Sequence, residues 1–196
     1  MNPHEAFEHA VDHLQQVVDT VPDSRAERCG PTPCSEFTVD QLMDHILWTH
    51  SLLLQAAGGR VPAVAGTIVE RHAAVAAASV DAWSSRGVEG IVQLTGELEL
   101  PAAFALSLHT LEAFVHSWDL ASAVGHGFAP EADLTSYIWE VAQVVVSDDA
   151  RGEQEDAAFA PAVLVSPSET ELTRLIAYTG RDPWWNLRVT DLRTAI

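Results

Sequence analysis

Lysine is missing from this 196-residue sequence, and cysteine is scarce. All ten basic residues are arginine, against 28 Asp and Glu, so the formal net charge is −18. A field this negative repels phosphate, so we expect neither nucleic acid nor an anionic membrane surface as a partner. With only Cys29 and Cys34, the chain lacks a disulfide framework, and we expect a reducing, cytoplasmic compartment. A single bridge between the two cysteines stays open.

Targeting signals and long apolar runs are absent as well. Residues 1–8 contain neither the basic nor the apolar segment of a signal peptide. The longest weakly polar stretch, residues 73–80, is far shorter than the roughly 20 residues of a membrane-spanning helix. The sequence also lacks a Walker loop, a dinucleotide fingerprint and a nucleophile elbow. With 47% hydrophobic residues, we expect one domain, residues 1–196, with a sizeable core.

Hydrophobic periodicity and capping signals predict a mostly helical chain. Capping boxes at Thr38 and Ser166 and glycines at several ends delimit the helices, and β-favouring residues around Gly96 predict a short hairpin. The predicted helices cover residues 4–20, 38–58, 67–86, 101–125, 133–146 and 166–180, and the extended segment covers residues 92–100. An acidic loop at residues 148–156 and an irregular tail at residues 181–196 complete the prediction. We therefore predict an all-α four-helix bundle with extra short helices, a fold that builds sites from side chains on facing helices.

The fourth predicted helix carries a polar stripe on an otherwise apolar surface. His109, Glu112, His116 and Asp119 follow one another at spacings of three, four and three residues, which brings all four into one sector of a helix. A helix that is apolar nearly all round is usually buried, and buried titratable groups are costly unless they are paired or bind a metal. The stripe therefore predicts a site inside the bundle, with Asp119 and His109 as candidate catalytic or ligand-orienting residues.

Three of the chain's side chains form a candidate metal-ligand set. Glu112 and His116 lie one helical turn apart, and His45 lies at the edge of the apolar face of the second predicted helix. Two imidazoles and one carboxylate leave a coordination position open, as in catalytic zinc sites. Zinc is the first expectation, and nickel stays open because it accepts the same ligands. The alternative is a local ion pair between Glu112 and His116 without a metal.

The other histidines and the cysteines give weaker signals. His9 and His13 lie four residues apart but share a face with acidic and polar residues, so we expect a solvated face. We expect His50 at the periphery of the site and His72 at the surface. Cys34 has no basic neighbour in the sequence to favour its thiolate, so a buried loop residue is expected rather than a nucleophile.

Three segments resemble the motifs of a known protein family. Residues 31–45, 112–121 and 180–183 read PTPCSEFTVDQLMDH, EAFVHSWDLA and GRDP. They are similar to the TPCxxWTVxxLxxH, ExxxHxWDLA and GRDP motifs of the DinB/YfiT-like superfamily. The resemblance is to its actinobacterial stand-alone metal-binding members, which are related to the N-terminal domain of mycothiol-dependent maleylpyruvate isomerase. Phe37 stands where tryptophan is common in that family.

The resemblance implies a DinB-like bundle around a divalent metal, usually zinc, held by His45, Glu112 and His116. It also implies mycothiol as a cofactor, and hence a small-molecule thiol and an electrophile as partners. We therefore expect a zinc-dependent thiol transferase or isomerase, with Arg181 or Arg71 as candidates for binding a substrate carboxylate. A metal-dependent hydrolase and a non-catalytic metal-binding or stress-response module are the alternatives. A homodimer stays open, because bundles of this size often dimerise.

Overall fold

The computed structural model describes residues 1–34, 37–152 and 157–186, and this part of the chain is mostly helical. Its helices and strands are α1 (Pro3–Val18), α2 (Val39–Ala56), α3 (Ile68–Arg86), β1 (Ile91–Thr95), β2 (Leu98–Pro101), α4 (Ala102–Val124), α5 (Ala132–Val145) and α6 (Glu171–Tyr178). The two strands pair antiparallel, which confirms the predicted hairpin. Residues 153–156 of the predicted acidic loop and residues 187–196 of the predicted tail lie outside the described residues.

The first three helices begin at side-chain caps that the sequence encodes. Asn2, Thr38 and Thr67 each accept a hydrogen bond from the backbone N–H three residues on, and the side chain at that position bonds back to the cap. Gly87 and Gly125 follow α3 and α4 with φ of 69° and 74°, a region that disfavours other residues. Because these signals are local, the bounds of α1 to α5 lie within two residues of the predicted ones.

The predicted start of the last helix is wrong. α6 begins at Glu171, and its cap is Thr170, whose hydroxyl accepts a hydrogen bond from the N–H of Thr173. The hydroxyl of Ser166 instead accepts a hydrogen bond from the N–H of Ser168 within a turn. The S-x-x-E pattern is therefore satisfied by a tight turn four residues before the real cap.

The four long helices pack around a shared apolar core. α1 contacts α3 and α4, and α2 contacts the same two helices, so their contacts form a closed ring. α4 is buried along most of its length, as its apolar circumference predicts. α5 packs against α4, and α6 packs against α5. Among the described residues, no helix combines the length and the hydropathy needed to cross a membrane.

Candidate metal site

α2 and α4 bring three side chains that are distant in sequence to one point in the fold. His45 from α2 and Glu112 and His116 from α4 each offer a ligand atom, and these three atoms lie within 4.8 Å of one another. Nε2 of His116 is 3.2 Å from Oε2 of Glu112, and Nε2 of His45 is 4.0 Å from the same oxygen. The His116 side chain is buried, whereas those of His45 and Glu112 are 29% and 18% exposed. The group is therefore accessible from solvent on the side of His45.

The donor set and its spacing fit a divalent metal ion. Bonds of about 2.0–2.1 Å to imidazole and carboxylate in a tetrahedral arrangement separate the ligand atoms by roughly 3.3 Å. The two separations to the oxygen of Glu112 lie on either side of that value, and the imidazole nitrogens of His45 and His116 are within 4.8 Å of each other, so small side-chain rotations would let all three reach one ion. Three protein ligands leave at least one coordination position for another molecule.

Glu112 and His116 shift each other's pKa in opposite directions. Burial by itself raises the pKa of Glu112, but the hydrogen bond and the charge of His116 outweigh it and lower this pKa to about 2. Burial lowers the pKa of His116, but its hydrogen bonds to Asp119 and Glu112 outweigh burial and raise this pKa to about 9. Burial and the charge of His116 lower the pKa of His45. A metal ion that binds here must therefore displace the proton of His116.

His116 is oriented from behind by a buried ion pair. Its Nδ1 lies 3.0 Å from Oδ2 of Asp119, and the Asp119 side chain has no exposed surface. Arg181 donates to both carboxylate oxygens, from Nε at 3.4 Å and from Nη2 at 3.1 Å. Burial raises the pKa of Asp119, but the charges of Arg181 and His116 lower it. Because Nδ1 donates to Asp119, Nε2 of His116 is the atom left to face Glu112 and a metal.

Gly180 directs Arg181 into the site. It follows the end of α6 with φ of +87°, and a Cβ at this position would lie 2.6 Å from the carbonyl oxygen of Ala160. Only glycine meets both conditions without strain. The sequence marks this segment only through its GRDP motif, and nothing local to it indicates that Arg181 pairs with Asp119. The structure engages Arg181 with that carboxylate, although the sequence made it a candidate for a substrate carboxylate.

Aromatic side chains flank the accessible side of His45. The ring of Phe37 stacks on the imidazole at a centroid distance of 4.9 Å, and Trp48, at 6.5 Å, is 62% exposed. Cys34 is half-buried in the loop before α2. Burial lowers the pKa of Arg181, but charges on Asp119 and Cys34 raise it, so the thiol of Cys34 lies within electrostatic reach of the guanidinium. No disulfide joins Cys29 to Cys34, so the bridge that the sequence left open is not formed.

Three further histidines lie in the core. His109 has no exposed surface, its Nδ1 accepts a hydrogen bond from Nε1–H of Trp83 at 3.0 Å, and it is not one of the three grouped ligands. The expectation that His50 is peripheral is wrong, because it is 3% exposed and its ring contacts that of His109. The expectation that His72 lies at the surface is also wrong, because it is buried and its Nε2 bonds the carbonyl of Met43 at 2.8 Å. His72 is buried where α3 packs against α2, and His50 is buried where α2 meets α4 at His109.

Two other sequence candidates lie apart from the three ligands. In the described part of the chain, His9 and His13 do not belong to a metal-ligating group. Nε2 of His13 lies 2.8 Å from Oε2 of Glu131, the residue that precedes α5. Arg71, the second candidate for a substrate carboxylate, lines a surface cleft together with Asp40.

Comparison with known proteins identifies relatives without assigning a family. No family model matches the chain, and no solved structure matches it. The chain is 28% identical over 155 residues to two uncharacterized proteins of Mycobacterium tuberculosis, one from strain CDC 1551 / Oshkosh and one from strain H37Rv. Each alignment covers 78% of this chain and 84% of the relative. The functional inference therefore depends on the site itself.

Proposed function

We propose that this chain is a divalent-metal-dependent thiol transferase or isomerase with a DinB-like four-helix bundle. The observation that carries the proposal is the group of His45, Glu112 and His116, whose ligand atoms lie within 4.8 Å of one another. The closed ring of contacts among α1, α2, α3 and α4 supports the bundle. Zinc is the metal we expect first, with nickel as the alternative, and a mycothiol-type thiol is the cosubstrate.

The charges around the group suit an anionic sulfur. A divalent metal held by the three ligands would supply a Lewis-acid position that keeps an incoming thiol deprotonated. Glu112 would contact the ion, and the pair of Asp119 and Arg181 lies behind His116. Two carboxylates, one guanidinium and a divalent ion together give the loaded site one net positive charge. The whole chain has a net charge of −18. A thiolate is therefore attracted by the site and repelled by the rest of the surface.

The residues at the mouth of the site suit a small electrophile with an apolar part. Phe37 and the exposed indole of Trp48 flank His45 and offer flat apolar surface to a bound molecule. In the proposed reaction the sulfur adds to an electrophilic double bond, so a C–S bond forms and the π bond breaks. The proton lost by the thiol goes to the adjacent atom. Reversal after rotation about the former double bond gives isomerisation, and retention of the C–S bond gives transfer.

The placement of Asp119 favours thiol chemistry over metal-assisted hydrolysis. A hydrolase needs a general base within hydrogen-bond reach of the attacking water, and Asp119 is the candidate catalytic residue of α4 that would have to serve as that base. Both of its oxygens are engaged by His116 and Arg181, and it has no exposed surface. A non-catalytic metal-binding or stress-response module would need no accessible ligand, whereas the side chain of His45 is 29% exposed.

Zinc titration and a thiol assay test the proposal in two steps. We expect metal-free protein to bind one equivalent of zinc, and we expect His116→Ala and Glu112→Gln to lose that binding. His13→Ala is the matched control, because it removes a histidine that is paired outside the group. The loaded protein should then conjugate mycothiol to members of an electrophile panel. Tight zinc binding without thiol binding would refute the thiol mechanism, and no zinc binding would refute the metal site itself.

A further inference from the structure

A second cluster of imidazoles lies along the same two helices as the candidate metal site. His50 follows His45 by five residues on α2, and His109 precedes Glu112 by three residues on α4. At a rise of 1.5 Å per residue, the cluster is displaced along the helices by roughly 5–8 Å from the metal ligands. The rings of His50 and His109 cross at a centroid distance of 4.5 Å and an angle of 85°.

Trp83 determines which nitrogen of His109 carries the proton. An indole N–H is a donor only, so Nδ1 of His109, 3.0 Å away, must be the acceptor. Burial lowers the pKa of His109 well below its usual value and that of His50 to about 3, so both rings are neutral. The proton of the neutral His109 ring is therefore on Nε2. This nitrogen cannot coordinate a cation unless the ring gives up its hydrogen bond to Trp83 or becomes an anion.

Three buried polar atoms of the cluster have no hydrogen-bond partner within the described part of the chain. They are Nε2 of His109, Nε2 of His50 and Oγ of Ser79. Ser79 lies one turn before Trp83 on α3, so it is on the helix face that meets His109, and it has no exposed surface. Because buried polar groups are nearly always hydrogen-bonded, these atoms point to a ligand. They come from α2, α3 and α4, and the hydrogen bond from Trp83 to His109 and the ring contact between His109 and His50 join these three helices at the same level of the core.

We propose that His50, His109 and Ser79 form a second, uncharged binding site in the core, which takes a neutral hydrogen-bonding molecule of the size of water and excludes cations. A buried water makes about three hydrogen bonds to protein. Here it accepts from Nε2–H of His109 and bonds the hydroxyl of Ser79 and the imidazole of His50. The inference concerns residues outside the metal group, and it holds whether or not the proposed function is correct.

Nitrogen-15 NMR of the histidine rings in the full chain tests the first step of the argument. At pH 7 we expect His109 to carry its proton on Nε2, with Nδ1 unprotonated. Trp83→Phe removes the donor to Nδ1, so we expect its His109 to populate both tautomers. A wild-type spectrum with the proton on Nδ1 would overturn the proposal, because Trp83 could then not be the donor.

Proton NMR and a zinc titration test the ligand. We expect a rotating-frame cross-peak between the Hε2 proton of His109 and a long-lived water. Ser79→Ala removes one of three partners and should shorten the residence time of that water about fivefold. An Hε2 signal without a water contact would overturn the proposal, because His109 would then donate directly to the face of His50. A second equivalent of bound zinc that is lost in His109→Phe would overturn the exclusion of cations.

Discussion

Asp119→Asn separates the shape of the candidate metal site from its charge. Asparagine has nearly the shape of aspartate, and an amide oxygen in the place of Oδ2 could still accept from Nδ1 of His116 and Nη2 of Arg181. The amide is neutral, however, and its NH₂ group would then face the Nε–H donor of Arg181 in the place of Oδ1. Arg181, whose side chain is 11% exposed, would be left without its counter-charge. His116 would donate to a neutral amide oxygen instead of a carboxylate, and this weaker hydrogen bond would hold its ring less firmly toward Glu112. The substitution should therefore weaken both metal binding and folding.

The two effects differ in size and in the way they can be rescued. Loss of a group that orients a metal-bound histidine typically weakens metal affinity 10–100-fold, or about 1.4–2.8 kcal/mol. Removal of one member of a buried ion pair costs about 3–5 kcal/mol of folding free energy, which lowers the Tm of a chain of this size by on the order of 10 °C. The double variant Asp119→Asn with Arg181→Met leaves no unpaired buried charge. We expect it to recover part of the stability and none of the zinc affinity.

Calorimetric zinc titration at pH 7 and thermal unfolding of the metal-free protein measure the two effects separately. Glu131→Gln is the matched control, because it removes the carboxylate from an exposed imidazole–carboxylate pair with His13 at 2.8 Å. We expect it to change zinc affinity less than about twofold, as is usual for exposed pairs. If Asp119→Asn kept the wild-type zinc affinity, or if the double variant restored it, Asp119 would not orient His116 for metal binding.

Three further predictions concern pH dependence and the fold. Burial lowers the pKa of His50 from its ordinary value of 6.5 to about 3. The unfolded state therefore binds more protons, and stability falls as the pH drops through this interval. His50→Leu should reduce the slope of the unfolding free energy at pH 5 by about 1.4 kcal/mol per pH unit in urea titrations. Gly180→Ala should lower the free energy of unfolding by about 1–3 kcal/mol and weaken zinc binding several-fold, because the added Cβ would meet the carbonyl of Ala160. Gly127→Ala is the control, because the space around its added Cβ is open, and it should change neither stability nor zinc affinity. Thr38→Ala removes the cap of α2 and should lower the free energy of unfolding, measured in urea, by about 1 kcal/mol. Thr38→Ser keeps a capping hydroxyl and should retain most of that stability.

Most of the candidate site could be predicted because it lies on one helix. The spacing of Glu112, His116 and Asp119 depends only on the helical period, and the structure places Nδ1 of His116 3.0 Å from Asp119. His45 lies on another helix, and its position at the edge of an apolar face, together with the motif resemblance, indicated that it turns inward. The structure brings it within 4.0 Å of Glu112.

The three wrong predictions were all based on signals from residues that are close together in the sequence. His50 lies on a different sector of α2 from His45, and His72 lies on a helix with a weakly defined apolar face, so helical periodicity favoured exposed positions for both. Both residues are buried by contacts between helices: His72 lies where α3 packs against α2, and His50 lies where α2 meets α4 at His109. The pattern at Ser166 is satisfied equally well by a turn, so the true cap of α6 at Thr170 could not be distinguished from it by short-range signals alone.

Local chemistry along the chain decides where α1 to α5 start and stop, which faces are apolar, and which polar side chains line α4, because these properties depend on neighbours a few residues apart. Tertiary packing alone decides that Arg181 reaches Asp119 across 62 positions and that Trp83 sets the tautomer of His109. Such contacts depend on how the faces of different helices meet. No pattern within a single helix specifies that meeting, so these features become visible only in the folded molecule.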